Sequence, residues 1–412
     1  MADKLPLASL CVLAARNIGR SRTRSALSLA AIAVGVAALI LSGGFINDLI
    51  FRLGEALIHS QSGHVQVARP GYFSSGSRAP GKNLIAEDQA QASQIAKLPG
   101  VKALMRRIGF SALLSNGRSS YPVAGEGIEA EQEAQLASAV LMLQGRRLSP
   151  KDRYAAIVGA GVARALDLKP GSSISLVAPT VDEAMNTLEL EVVGVFQSFS
   201  RDYDDRTIKL PLQTAQELLD TRGVNALVLL LHDTGQTAQV ARAVREKAAN
   251  AALEVKTWEV LNDFYWKAVA LYERQFGVLR IIVLLMVLLA VVGAVNVGVL
   301  ERAGEFGTMR ALGNKSADVM GLVLLEGALM GTLGAALGAA LGYAAARLIS
   351  DIGIPMPPPP NSNFEFTAAI RLDAWVIASA FAIGLAATVL ASIAPALRVS
   401  RMPVIQALRE IN

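Results

Sequence analysis

FGVLRIIVLLMVLLAVVGAVNVGVL (Phe276–Leu300), ERAGEFGTMRALGNKSAD (Glu301–Asp318) and VMGLVLLEGALMGTLGAALGAALGYAAARL (Val319–Leu348) follow one another without a break. A helix needs about 20 apolar residues to cross a hydrocarbon core of roughly 30 Å, and each outer stretch exceeds that. The middle stretch is charged and short, so it sits in water at the membrane surface, held between two spans. Its residues Glu305, Phe306, Met309, Arg310, Leu312 and Gly313 combine charge with an apolar side. The Gly313-Asn314 pair predicts a helix stop. Phe306, Met309 and Leu312 recur at helical spacing, which suits docking into a partner's groove. The bland alternative is a loop that covers its own bundle.

Working outward, Ala26–Ile46 forms a first span and Leu372–Leu397 a fourth. The chain has 412 residues, of which 52% are hydrophobic. That fraction points to a membrane protein with a substantial water-soluble insert. Residues 1–25 read as an amphipathic helix lying on the membrane. Leu7, Leu10, Leu13 and Ala14 share one side, and Arg16, Arg20, Arg22 and Arg24 gather towards the end. The apolar run that follows is too long for a cleavable signal peptide, so a retained anchor is expected. Basic residues cluster in this segment, in the turn 301–318 and in the tail 398–412, where Arg398, Arg401 and Arg409 lie. All three are therefore expected in the cytoplasm. The same clustering at span ends fits membrane topology rather than nucleic-acid binding.

Residues 47–275 hold no spanning stretch. Alternation in His64–Val67, Ser173–Val177, Leu188–Phe196 and Ala226–Leu231 predicts strands. Helical patterns fall at Glu87–Lys97, Pro211–Asp220 and Gln236–Ala251. Pro-Gly pairs at Pro70-Gly71, Pro80-Gly81, Pro99-Gly100 and Pro170-Gly171 predict turns. The expected fold is thus an α-helical membrane protein of four transmembrane helices with a large mixed α+β extracytoplasmic domain between the first and second, which the resemblance given below would make periplasmic. That domain is expected in two lobes, one inserted near 125–198. Trp258–Gln275 should be a helix feeding the second span (276–300), and 349–371 a Pro-rich external loop ahead of the fourth.

Enzyme chemistry is mostly missing from the residues. No phosphate-binding loop is present, because Gly81-Lys82 is followed by Asn83. His59 and His64 lie five apart and cannot share a helix face, so they offer no evident metal site. Arg201–Arg206, with its three aspartates, suggests a cation site but reads better as a solvated hairpin tip. The lone Cys11 excludes an internal disulfide. Inside the apolar runs, Glu326 is a costly carboxylate. It is either a contact that changes between states or a residue near the interface satisfied by a hydroxyl or backbone group. Asn296 could bond across helices. Gly334, Gly338 and Gly342, spaced by four, let helix backbones approach closely, in this chain or between two.

The stretches Ala14–Ala37, Leu141–Ala178, Leu188–Phe199, Glu301–Gly327 and Ala394–Arg409 together resemble the FtsX-like, MacB-type permeases of ABC transporters, including the lipoprotein-releasing branch. That resemblance implies a permease without its own ATPase site. A separate cytoplasmic subunit binds the ATP and Mg, so this chain carries no cofactor. It implies pairing with a second permease chain, the same or related, and a coupling role for the turn. Glu305 and Arg310 would then supply charged contacts to the ATPase, and Phe306, Met309 and Leu312 apolar ones. The implied cargo is lipid-modified or amphiphilic, taken at the outer leaflet of the inner membrane and passed to a periplasmic carrier. Two alternatives are a regulator that activates a cell-wall hydrolase, and efflux through an adaptor and outer-membrane channel. Glu301-Arg302 and Thr308-Met309-Arg310 depart from the lysine-rich turn of the lipoprotein-releasing permeases.

Overall fold

The computed structural model describes residues 7–20, 22–75, 80–85, 90–248, 252–358 and 365–401. The chain divides into a helical unit (Met1–Ile50, Val269–Pro355, Thr367–Asn412) and an α+β unit (Phe51–Ala268, Met356–Phe366). Residues 359–364 of the Pro-rich loop, and the tail from 402 with Arg409, lie outside the described residues.

In the helical unit a lead-in helix (Leu7–Arg20) precedes the first long helix (Arg22–Leu57). The second long helix is Asp263–Glu301, the third Ser316–Ile352 and the fourth Ala374–Ser400. All four are long and apolar enough to cross a membrane. They outrun the sequence boundaries at most ends, because helical hydrogen bonding continues past the point where apolar composition stops. The second helix, for instance, absorbs most of the aromatic stretch expected to feed it.

Small residues decide how these helices meet. A Cβ on Gly334 would come within 2.8 Å of Ile32 Cβ, and one on Gly338 within 2.6 Å of the Ala33 carbonyl oxygen. At Gly342 it would lie 3.2 Å from Ala37 Cα. The first helix therefore lies directly against this face of the third, and the glycine repeat serves packing within one chain. Earlier on the third helix, Gly327 and Gly331 turn to the fourth, meeting Ser392 and Thr388. Both hydroxyls are satisfied within their own helix, Ser392 donating to Thr388 O and Thr388 to Gly384 O. Ile32, Val36, Ile40, Val287, Val291 and Ala335 fill the space between helices. The second helix instead leaves Val278, Ile281, Leu285, Met286 and Leu289 exposed.

The α+β unit is built on one ten-stranded sheet. Its strands are β1 (Val65–Ala68), β2 (Val101–Ser115), β3 (Ser120–Ile128), β4 (Leu141–Gly145), β5 (Ala155–Gly159), β6 (Ser173–Pro179), β7 (Met185–Gln197), β8 (Thr207–Pro211), β9 (Ala226–Leu231) and β10 (Glu254–Thr257). The order is β10-β1-β9-β2-β3-β8-β5-β7-β4, and β6 pairs with both β2 and β7. Among the described strand pairs of this sheet, β3–β8 and β5–β7 run parallel and the others antiparallel. All four strand patterns read from the sequence are strands, and the helices Leu212–Leu219 and Thr237–Ala248 stand where two helical patterns predict them. Gly71, Gly100 and Gly171 have φ near +90°, the conformation that the second central position of a Pro-Gly turn demands.

Two expectations need correction. The segment 125–198 is no separate lobe: β3 hydrogen-bonds β2, β5 bonds β8, and β6 ties the long β2 to the long β7. The run Arg201–Arg206 is no solvated hairpin tip either. It forms a helical turn (Arg201–Asp204) because buried Asp204 accepts two hydrogen bonds from the Ser198 backbone N–H, at 2.9 and 3.0 Å.

A charged cluster is sealed into this sheet. Arg107 donates to both oxygens of Glu133, and Lys209 Nζ lies 3.0 Å from the same carboxylate. Burial pushes the Glu133 carboxyl up, but Arg107 and Lys209 outweigh it and hold its pKa down to about 2. A depressed carboxylate contributes stability that is complete above its unfolded value and is lost as pH falls through the folded one. We expect the unit to lose on the order of 3 kcal/mol between pH near 5 and pH near 2. Urea melts followed by Trp258 fluorescence measure this. Glu133→Gln, which strands Arg107, should be less stable at pH 7 and flat across that acid window. In the helical unit, Gly338→Leu should cost about 1–3 kcal/mol through overpacking, read as a lower melting temperature in detergent. Gly293→Ala, with open space around it, should be neutral.

Candidate functional site: the charged turn

Between the second and third long helices lies a turn helix, Ala303–Ala311. It ends where the sequence predicts. Gly313 has φ +100°, its N–H bonds Arg310 O, and the Asn314 N–H bonds Met309 O. These paired bonds close the last carbonyls of the helix. The third helix then starts with the Lys315 N–H on Asp318 Oδ2 at 2.9 Å.

The turn helix sits on its own bundle by one face. Phe306 is buried among Ala14, Val299, Val319, Leu322, Val323 and Val399, with Met309 half-buried beside it. This corrects the docking face read from periodicity. Helical spacing groups Phe306 with Met309 but does not say which side the bundle occupies, and Phe306 is taken up internally. Leu312, 81% exposed, is the apolar residue left outward. Arg310 is half-buried, its guanidinium 3.5 Å from Ser400 O. Glu305 accepts from Arg20 at 2.9 Å and from Arg302 at 3.0 Å.

Glu326 has partners that sequence reasoning missed. Asn17 Nδ2 donates to it at 2.6 Å, and Arg302 Nη1 reaches both its oxygens at 2.9 and 3.0 Å. Among the described residues an amide and a guanidinium, rather than a hydroxyl or a backbone group, donate to it. Arg302 also lies over the Phe306 ring, 5.1 Å from its centroid, within cation–π range. A carboxylate inside an apolar run demands a partner, and that demand was the available signal. Asn296 sits 3.5 Å from Arg398 Nη1, too long for a firm hydrogen bond. The turn has an inward face, two carboxylates linked through Arg302 and an outward tip.

Elsewhere, His59 and His64 rings meet edge-on, centroids 5.9 Å apart. Burial lowers His64 to a pKa of about 4, and its Nδ1 accepts the Leu231 N–H. Among the described residues no group of three or more His, Cys, Asp or Glu could hold a metal ion.

Residues 25–247 match the family model for the MacB-like periplasmic core domain, and residues 277–404 that for the FtsX-like permease C-terminal domain. The chain is an ABC transporter permease of the MacB/FtsX family. It is 23% identical over 349 residues to an uncharacterised ABC transporter permease of Methanocaldococcus jannaschii, covering 80% of this chain and 82% of that one. It is also 23% identical over 317 residues to LolC, the lipoprotein-releasing system transmembrane protein of Neisseria meningitidis, covering 74% and 72%. The periplasmic region of MacB from Actinobacillus actinomycetemcomitans overlays 50% of this chain and 94% of its own, with TM-score 0.36 and 12% identity. The turn helix and Glu326 fall within the FtsX-like match, and the charged sheet within the MacB-like one.

Because Phe306 fills a buried site, Phe306→Ala in this permease should destabilise the helical unit by about 3–5 kcal/mol. Leu312→Ala should leave the melting temperature in detergent unchanged. Equal effects of the two substitutions would contradict the inward and outward assignment.

Proposed function

We propose that this permease couples ATP hydrolysis by a separate cytoplasmic ATPase subunit to movement of its α+β unit on the far side of the inner membrane. In this reading both chain ends and the turn lie in the cytoplasm, in keeping with the basic residues at those span ends. The observation that carries it is the division of the turn helix. Phe306 and Arg302 root it in the bundle, while Leu312 is left at the tip for a partner to grip. A lever needs both a fixed root and a free end. The ATPase can do work only if it grips the tip differently in its open and closed states.

Two such chains form the membrane part of the transporter. The exposed apolar strip of the second helix, from Val278 to Leu289, meets lipid or the second chain. ATP and Mg are held by the ATPase subunits. The cargo is lipid-modified or amphiphilic, taken at the outer leaflet and passed to a periplasmic carrier or adaptor. Similarity to the Neisseria lipoprotein-releasing protein supports this cargo class.

The permease with its ATPase subunit in proteoliposomes provides the test. Leu312→Asp should weaken retention of the ATPase by roughly ten-fold, as loss of a central apolar anchor does, while the permease remains folded. Full retention and full stimulation of hydrolysis by Leu312→Asp would contradict the docking role.

A further inference from the structure

Glu326 stands ten residues into the third helix, roughly 15 Å from its start. Its side chain is 17% exposed, about as deep as that of the Arg302 that meets it. Three segments converge on that one group: the lead-in helix through Asn17, the root of the turn helix through Arg302, and the third helix itself. Arg302 in turn holds Glu305, and Glu305 holds Arg20. Asn17, Glu326, Arg302, Glu305 and Arg20 thus form a continuous line of hydrogen bonds.

The covalent route between the turn helix and the third helix is short, running from Leu312 to Lys315. It passes through Gly313, whose φ is +100° and around which nothing lies within 4 Å of a would-be Cβ. The next two residues before the third helix, Asn314 and Lys315, are not helical. Nor does close packing lock Glu326 in place. A cavity of about 50 Å³ borders it, with Ser25 and Ser28 on the wall. The buried Ser28 hydroxyl has no partner among the described residues. A push on the tip at Leu312 can therefore reach the third helix along the short peptide link, through the Phe306 contacts and through the ion pair, and the ion pair is the one that ends on a charge ten residues into that helix.

We infer that Glu326 is a positioning residue for energy coupling: its ion pair with Arg302, steadied by Asn17, carries displacement of the turn helix into the third helix. This rests on the coupling role assigned to the turn above. Removing the charge should spare ATPase docking, which uses the tip, and impair transmission, which uses the root.

The experiment uses the permease–ATPase complex in proteoliposomes, with Cys11→Ser and an environment-sensitive label on Leu141→Cys, a half-exposed site on β4. The readouts are the amount of ATPase retained and the change in label signal on adding ATP. Glu326→Gln should retain the ATPase at the parental level and lose about five-fold in ATP-driven signal, within the range reported for residues that carry coupling. Glu326→Asp, which keeps the charge, should recover at least half. Asn17→Ala, which removes one neutral bond, should lose about two-fold.

An undiminished signal from Glu326→Gln overturns the inference. So does parallel loss of the ATPase in the Gln and Asp variants, which would make the carboxylate a folding or docking group. Should Glu326→Gln fail to accumulate, an undiminished signal from Asn17→Ala overturns it equally. A parental chain that retains no ATPase strikes at the coupling role itself, and the inference falls with it.

Discussion

A carboxylate set inside an apolar helix must find a cation or remain a heavy cost, and that requirement shapes the end of the helical unit where the turn lies. Glu326 meets Arg302 at 2.9 Å, and the geometry of that pair fixes where the turn helix begins. Arg302 lies over Phe306, and Phe306 fills the apolar site between the lead-in, third and fourth helices. Ionic and apolar anchoring thus act on the same first turn. Removing Arg302 would leave the Glu326 carboxylate half-buried with only the neutral Asn17 amide to meet it, a larger penalty than the pair's own net contribution.

The helical unit is held together by a different kind of contact. Glycines on one helix admit the backbone of another, so attraction there comes from close van der Waals approach rather than from water expulsion. Gly327 and Gly331 use this against the fourth helix, and Gly334, Gly338 and Gly342 against the first. The third helix is therefore the member that both receives the Arg302 contact and packs on two neighbours. In the α+β unit the equivalent constraint is the Arg107–Glu133–Lys209 cluster, which joins β2 and β8 to the helix Ala130–Leu136. Register is strongly specified where buried charges must meet, because a one-residue slip would turn each to the opposite face.

What could be read directly from residues was what depends on local spacing. The long apolar helices, four strand segments, the Pro-Gly turns and the Gly313-Asn314 stop all have signals within a few residues of themselves. What escaped depends on distance along the chain. Glu326 and Asn17 are separated by 309 positions, and no periodicity links them. The glycine repeat announced close approach without naming the neighbour. Phe306 shared helical spacing with Met309, but only the position of the bundle decides which side is inside. The supposed second lobe failed for the same reason: turn signals divide a chain locally, while β6 pairing to both β2 and β7 is non-local. Asp204 turned a charged run inward because the buried backbone N–H of Ser198 required an acceptor, and both Asp204 oxygens meet it.

Coupling of this kind requires the turn to lie on the ATPase side of the membrane and the α+β unit on the other. Thiol labelling with a membrane-impermeant reagent tests this on intact spheroplasts, using single-cysteine chains at Leu312 and at Leu141 in a Cys11→Ser background. The expected result is strong labelling at Leu141→Cys in intact spheroplasts, and labelling at Leu312→Cys only after lysis. Labelling of both positions in intact spheroplasts, or of Leu312→Cys alone, would place the turn outside and contradict the coupling of cytoplasmic hydrolysis to this permease.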